Sequence, residues 1–388
     1  MGSIWQGVFA ALRLNRADRV GKQCGVEQTA VFFKIRTVFW KAISMRYIIL
    51  ALQLLSTTWG VSYSSSAFAG DFMATGVDAR AMGMGGAYFG LADGAEAVYW
   101  NPAGLAGMSG SEAKIEHAER FSGIHTQDFL AVGTTVATGW VGIGILRGGV
   151  DGIVFSDSST LANPSQPVSI DNLPDPSKTF TFSNTDITTL LSYARPLTQD
   201  VVVGATAKLI SRSIHTSDAF GYGLDLGVSW RPWRWMSLAL VLADVTGTRV
   251  SWDGGTTDVV RPTLRLGMVQ RLQIPGTSSS LTISTTILSG TKSAGYGGIA
   301  SLFNISGETG NRGSVGLEYG FRGLLYIRAG SQNLGGTLGD GDAQITTGLG
   351  LRMATPFIDR WISAISFDIA WQNHTLNSSY PMTITAEL

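Results

Sequence analysis

Cysteine is nearly absent, with Cys24 the single one in 388 residues. It precedes residue 70, so the rest of the chain holds neither a disulfide framework nor a cysteine-ligated metal. Charge is scarce as well, at 14% of residues, where soluble domains carry about 25%. The four histidines, His117, His125, His215 and His374, are scattered, and none pairs at metal-ligand spacing. No Gly-x-Ser-x-Gly and no lysine-bearing phosphate loop occurs. Gly83-Met84-Gly85-Gly86-Ala87-Tyr88 puts Tyr88 where a dinucleotide fingerprint needs its third glycine. Asp340 and Asp342 offer two carboxylates in a glycine-rich stretch, which reads as a solvated hairpin tip rather than a calcium site. The sequence therefore predicts no catalytic residues, no metal and no cofactor. Past residue 110 no apolar run is long enough for a membrane-spanning helix.

What is present is apolar and rich in glycine: 44% hydrophobic residues and 49 glycines. The balance of 28 basic against 28 acidic residues hides an asymmetry, because residues 1–69 hold eight of the basic ones against Asp18 and Glu27. An acidic remainder has no basic stripe for phosphates, so nucleic acid is not an expected partner. From Met45 the chain shows a basic start at Arg46, an apolar run over 47–55 and Ala67-Phe68-Ala69. These are the three regions of a secretory signal peptide, with cleavage expected after Ala69. Residues 1–44 then read as a mis-assigned or dispensable extension upstream of the true start.

The body alternates with a period of two. Tyr222, Leu224, Leu226, Val228 and Trp230 share one face, with Gly223, Asp225, Gly227, Ser229 and Arg231 on the other. Similar splits recur at Val315-Leu317-Tyr319, Leu264-Leu266-Met268 and Ile365-Phe367-Ile369-Trp371. In a soluble sandwich the polar face would be rich in Lys, Glu and Thr. Here it is glycine and serine interspersed with Lys208, Asp225, Arg265, Glu318, Arg328, Arg352 and Asp368. Small residues and opposite charges suit a wet, crowded lumen, with the aliphatic face toward lipid. The predicted fold is all-β, a transmembrane antiparallel barrel over residues 111–388.

The segments count to fourteen strands, the even number such barrels require. Seven connections, 148–185 and 246–258 among them, average about 15 residues and the other six about 5, so the long loops are assigned to the extracellular side and both barrel ends to the periplasm. Trp361 and Trp371 are placed as girdle anchors, and Trp230, Trp233 and Trp235 crowd a predicted periplasmic turn at 231–234.

Residues 70–110 do not alternate. Asp93 followed by Glu96 reads as a capping box opening a short helix through Ala95, Ala97, Val98 and Tyr99, which Pro102 ends by forcing Asn101 out of helical geometry. Gly83, Gly85 and Gly86 supply a bend, and Met82, Met84, Tyr88 and Phe89 need cover. A hatch inside the barrel mouth would provide it.

The run from Ala79-Arg80-Ala81-Met82-Gly83-Met84-Gly85-Gly86 to Val98-Tyr99-Trp100-Asn101-Pro102-Ala103-Gly104-Leu105 resembles the N-terminal signature of PorV/PorQ-type outer-membrane proteins. It is also similar to the wider FadL-like superfamily. The resemblance covers about 30 residues and implies a fourteen-stranded barrel with an N-terminal hatch. It places Asn101, Pro102 and Ala103 in that hatch, with Arg80, Gly83, Gly85 and Gly86 beside them as gating or ligand residues. The chain departs from the usual terminal aromatic by ending in Leu388. Two functions follow from the resemblance. The first is a scaffold or shuttle for exported proteins, partnered by secretion components, and the second is a FadL-like passive transporter of hydrophobic small molecules. Either is expected in the outer membrane, surrounded by its lipid. A lipid hydrolase would need a histidine–acid pair on the lipid face, where only His117 is available.

Overall fold

A computed structural model of the chain describes residues 73–155, 161, 163, 165, 174–175, 178–291, 309–334, 343–355, 362–374 and 377–388. The expected extension, the signal peptide, Asp340, Asp342 and Trp361 lie outside the described residues. Chain order begins with α1 (Ala79–Gly83), α2 (Ala97–Trp100) and a 3₁₀ turn (Pro102–Gly107). Strands follow: β1 (Ser111–Arg120), β2 (His125–Val136), β3 (Gly139–Phe155), β4 (Phe180–Pro196), β5 (Val201–Ile214), β6 (Ser217–Trp233), β7 (Met236–Ala243) and β8 (Thr248–Trp252). The remainder are β9 (Thr257–Val260), β10 (Thr263–Gln273), β11 (Ser279–Thr291), β12 (Thr309–Phe321), β13 (Leu325–Leu334), β14 (Gln344–Ala354), β15 (Ala364–Gln372) and β16 (Tyr380–Glu387).

Fourteen of these strands form a closed antiparallel barrel. β1 pairs with both β2 and β16, neighbours pair in succession, and the circle is completed by β5 with β6, β6 with β7, and β7 with β10. Closure leaves no strand edge in the wall, so every ladder hydrogen bond is met within the chain, as a hydrocarbon surround demands. β8 and β9 are an addition. They form a hairpin on the upper part of β6, with Ala219 opposite Trp252 and Tyr222 opposite Arg249. That stretch was expected to be a plain loop over 246–258, and its pairing arises because β7 stops at Ala243 and leaves the rest of β6 free on that side. β3 and β4 also run beyond the expected ends, into the stretch 148–185 that reads as one long loop, and stay paired out to Phe155 and Phe180.

Alternation along each strand sorts the side chains as its period requires. On β14, Ile345, Leu349 and Leu351 point outward and are exposed, Ile345 by 61%, while Gln344, Thr346 and Gly348 point into the lumen. On β1, Ile115 and His117 are outward and Lys114, Glu116 and Arg120 inward and buried. Outward aromatics gather near the strand ends: Trp371, Tyr380, Phe220 and Tyr222 toward one rim, and Tyr193, Trp230, Trp233, Tyr319 and Phe321 toward the other, which carries both ends of the barrel chain. Amphipathic rings favour such interfacial levels.

Candidate functional site: the segment wound inside the barrel

The apolar core of this protein is inside its lumen. Val77, Met82, Met84, Tyr88, Leu91, Val98 and Leu105 are fully or almost fully buried, packed among lumen-facing groups of the wall. The chain gets there by one circuit of the interior. Ala79 N–H donates to Thr383 Oγ1 on β16 at 2.8 Å. Gly83 then lies on Gly348 of β14, Met84 on Gly316 and Gly330 of β12 and β13, and Gly90 on Gly267 of β10. α2 crosses the centre to rest Val98 on Gly142 and Gly144 of β3. Asn101 and Pro102 return to Gly227 of β6, Pro102 and Ala103 to Gly204 of β5, Leu105 to Gly142 of β3, and Met108 to Gly133 of β2, after which β1 begins.

These contacts explain why the lumen face is rich in glycine. A Cβ at Gly204 would stand 2.7 Å from Ala103 N, one at Gly267 2.6 Å from Gly90 N, and one at Gly227 would overlap the Asn101 amide. Cβ atoms do not approach backbone so closely, so only glycine lets the segment's main chain lie flat on the wall.

Within the segment the predicted turn chemistry is half realised. Glu96 reaches back to the N–H groups of Asp93 at 3.3 Å and Gly94 at 3.2 Å, as a capping partner does. The Asp93 side chain does not cap; it pairs with Arg80 at 2.9 Å, and the helix starts only at Ala97. The half-buried Arg80 guanidinium, already held by Glu318 through Nε and Nη2, takes the Asp93 carboxylate on its remaining Nη1, and a charge-assisted bond is stronger than a neutral cap. Pro102 ends α2 as expected, holding Asn101 extended. Asn101 Oδ1 accepts from Ala103 N–H at 3.1 Å and caps the 3₁₀ turn, while its Nδ2 donates to Phe89 O and Ser229 Oγ, both at 3.1 Å. Gly85 and Gly86 adopt φ of 65° and 66°, the left-handed bend glycine permits, and Gly83 serves instead as a close-approach point. At the centre Trp100 packs against Tyr88, Phe89 and Tyr99 with ring centroids 5.1–5.7 Å apart and donates its indole N–H to Val77 O at 3.1 Å.

Charged groups fasten the first half of the segment to the wall. Arg80 pairs with Glu318 through Nε and Nη2, both at 2.9 Å, and with Asp93; Glu318 also accepts from Arg328 at 2.8 Å, and Arg328 from its other end holds Asp368 at 2.6 Å. One network thus joins α1 to β12, β13 and β15. Burial acts to lower the Arg80 pKa, but Glu318, Tyr88 and Asp93 hold it well above the ordinary arginine value, so the guanidinium stays charged. Burial raises the Tyr88 phenol well above its ordinary value, keeping it a neutral donor, and its hydroxyl bonds Glu96 at 3.2 Å. A second cluster lies on β1. Lys114 Nζ sits 2.7 Å from both Asp78 and Glu96, and Glu116 accepts the Asp78 N–H. Asp78 itself has a φ of 72°, an uncommon conformation for a residue with a side chain, held by these partners and by its own bond to Arg80 N–H.

The other lumen charges fall into separate groups. Lys208 pairs with Asp225 at 2.7 Å and with Asp244, Arg265 lies over the Phe89 ring at 5.2 Å, and Arg352 forms a half-exposed pair with Glu387 at 2.6 Å. The structure therefore brings Arg80, Glu318, Arg328 and Asp368 into one network, pairs Lys208 with Asp225 elsewhere, and leaves Arg265 and Arg352 outside that network. Sequence reasoning missed Asp78, Glu96, Lys114 and Glu116 as fastening residues. Inward parity on the first strand puts Lys114 and Glu116 in the lumen, but it does not single them out from other inward charges. His117 faces outward and pairs with Asp128 at 2.7 Å, which in turn holds Arg147 at 3.1 Å. Among the described residues no group of His, Cys, Asp and Glu has metal-holding geometry.

No family model matches the chain, and no curated protein does. Among solved structures it is similar to CymD, a monoaromatic hydrocarbon channel, with a TM-score of 0.51 and 11% identity over 80% of this chain and 96% of that one. It is also similar to the toluene transporter TodX of Pseudomonas putida, with a TM-score of 0.50 and 13% identity over the same shares. The likeness is one of fold: the chain shares the barrel architecture of these two channels.

Proposed function

We propose that the protein is an outer-membrane passive transporter of small hydrophobic molecules, gated by residues 73–110 acting as a hatch. The observation that carries this is the single turn of chain inside the lumen, fastened by hydrogen bonds and ion pairs that can be exchanged for water and remade. A wall with outward aliphatic residues and interfacial aromatics supports the membrane setting, and residues 45–69 supply the export signal. The solved barrels with this fold are named as hydrocarbon and toluene channels, which supports the transporter over the PorV/PorQ-type scaffold that the N-terminal signature put first. In this reading Asn101, Pro102 and Ala103 anchor the hatch, Gly83, Gly85 and Gly86 shape its bend, and Arg80 is its latch.

The test is uptake of radiolabelled toluene into proteoliposomes, with protein-free vesicles as reference. Faster uptake, abolished by a disulfide tying the segment to the wall, is expected. Uptake equal to that of protein-free vesicles would sink the transporter assignment. Separately, deleting 76–108 should raise single-channel conductance in planar bilayers, and identical currents with and without the segment would show that it does not occlude the lumen.

A further inference from the structure

The rim that carries both ends of the barrel chain holds a group of charges unlike those of the lumen. Arg195 stands near the end of β4, Asp200 in the turn to β5, Arg231 near the end of β6 and Arg234 in the turn to β7, and all four are exposed. The two turns are joined, since Arg231 N–H donates to Asp200 O at 2.8 Å and Val201 pairs with Trp230. Arg80, Arg328 and Arg352 each hold a carboxylate, whereas Arg195, Arg231 and Arg234 have no ion-pair partner among the described residues. Three guanidinium groups beside the one carboxylate of Asp200 leave the patch positive. At the opposite rim exposed carboxylates prevail, with Glu119, Asp151, Asp218 and Asp253 against Lys178 and Arg249.

Tryptophan is interleaved with these arginines. Trp230 and Trp233 are exposed, and the Trp233 ring stacks on Trp235 with centroids 5.4 Å apart and 8° between the planes. A register shift between Trp230 and Trp233 produces this arrangement. Strict alternation would give the outward place after Trp230 to Pro232, and the one-residue bulge hands it to Trp233 instead. The turn is pinned from its other side by Arg271 N–H, which donates to Trp235 O at 2.8 Å. Tyr193 and Leu197 extend the exposed apolar edge along β4 and its turn.

Indole rings settle at the boundary between acyl chains and headgroups. Arg231 and Arg234, alternating with them in one turn, are thereby held at the level of lipid phosphates. A guanidinium presents paired N–H donors that match phosphate oxygens. A zwitterionic headgroup brings a cation of its own, which the patch repels, while an anionic phospholipid brings net negative charge. We propose that the β4–β5 and β6–β7 turns form a site for the headgroup phosphate of an anionic glycerophospholipid in the leaflet facing this rim. The proposal rests on the barrel standing in a membrane and not on what it transports.

The experiment reconstitutes the protein into nanodiscs of equal parts phosphatidylglycerol and phosphatidylcholine, and counts the lipids that stay bound by native mass spectrometry. Wild-type protein should retain phosphatidylglycerol in preference, by about fivefold for each guanidinium engaged. Arg231→Gln/Arg234→Gln should cut that preference at least fivefold, and Arg249→Gln, at the opposite rim, should leave it unchanged. A second measurement decides if the double variant does not assemble. Brominated phosphatidylglycerol should quench wild-type tryptophan fluorescence more than brominated phosphatidylcholine at the same mole fraction, and Trp233→Phe should remove most of the excess. Equal retention of the two lipids by wild type, an undiminished preference in the double variant, an equal loss with Arg249→Gln, or quenching that does not distinguish the lipids would each overturn the proposal. The toluene assay is independent: lipid preference without toluene uptake sinks the transporter reading alone, and uptake without lipid preference sinks this site alone.

Discussion

The two halves of the inner segment both lie on wall glycines but differ in charge. Residues 76–96 add ion pairs, Arg80 to Glu318 and Asp78 with Glu96 to Lys114, to main chain resting on Gly348, Gly316, Gly330 and Gly267. Residues 97–108 reach the wall through shape, with Pro102, Ala103 and Leu105 lying on Gly227, Gly204 and Gly142. A buried ion pair is costly to break on one side but can open and reform when water or a charged solute enters. Backbone on glycine has no such alternative partner; it either fits or is displaced. On the proposed transporter reading, a reversible gate belongs in the first half, whose ion pairs can be remade, and a fixed anchor in the second.

Four substitutions break or sharpen that comparison. The largest effect is predicted for Glu318→Ala, which strips Arg80 and Arg328 of their shared carboxylate and should cost about 3–5 kcal/mol in urea refolding into lipid vesicles. A loss of under about 1 kcal/mol, the range of an exposed pair, would mean that charge does not hold the first half. Gly204→Val comes next, at about 1–3 kcal/mol, because the added Cβ meets Ala103 N and overpacks the anchor. It should also expose residues 97–107 to protease, whereas Gly254→Ala, at a glycine with nothing within 4 Å, should do neither. Equal behaviour of the two variants would remove the case for anchoring by glycine.

Asn101→Ala should cost about 1 kcal/mol, through loss of the cap on the 3₁₀ turn and of the bonds to Phe89 and Ser229. Refolding midpoints for this variant and Ser229→Ala give the share carried by the wall contact: a double mutant that is fully additive would mean the 3.1 Å bond contributes nothing. The smallest effect belongs to Arg352→Ala, whose pair with Glu387 is half exposed and is worth under about 1 kcal/mol. A loss matching that of Glu318→Ala would show that position in the lumen, and not burial, sets the strength of these pairs.

How far the sequence carried can be judged from single residues. Leu226 outward at 39% exposed and Asp225 inward at 7% follow from alternation alone, because neighbouring side chains on a strand leave on opposite faces. The exit of α2 at Pro102 was equally legible, since the proline ring restricts Asn101 whatever surrounds it. Asp93 was misjudged for the opposite reason: the capping pattern is local, and a distant arginine competed for the carboxylate. The β8–β9 hairpin escaped notice because it depends on where β7 stops, and the fastening role of Lys114 and Glu116 because nothing local distinguishes them from other inward charges.

The sequence by itself determined the period, the faces and the number of wall strands, because alternation is a local property that needs no partner. Only the tertiary structure decided which charges meet. Arg80 and Glu318 stand 238 positions apart, and Ala79 and Thr383 stand 304 apart. Their contact exists only once the wall has closed with β1 beside β16 and the segment has been laid inside it. Closure and register set the distance across a lumen, and no local pattern of residues encodes that distance.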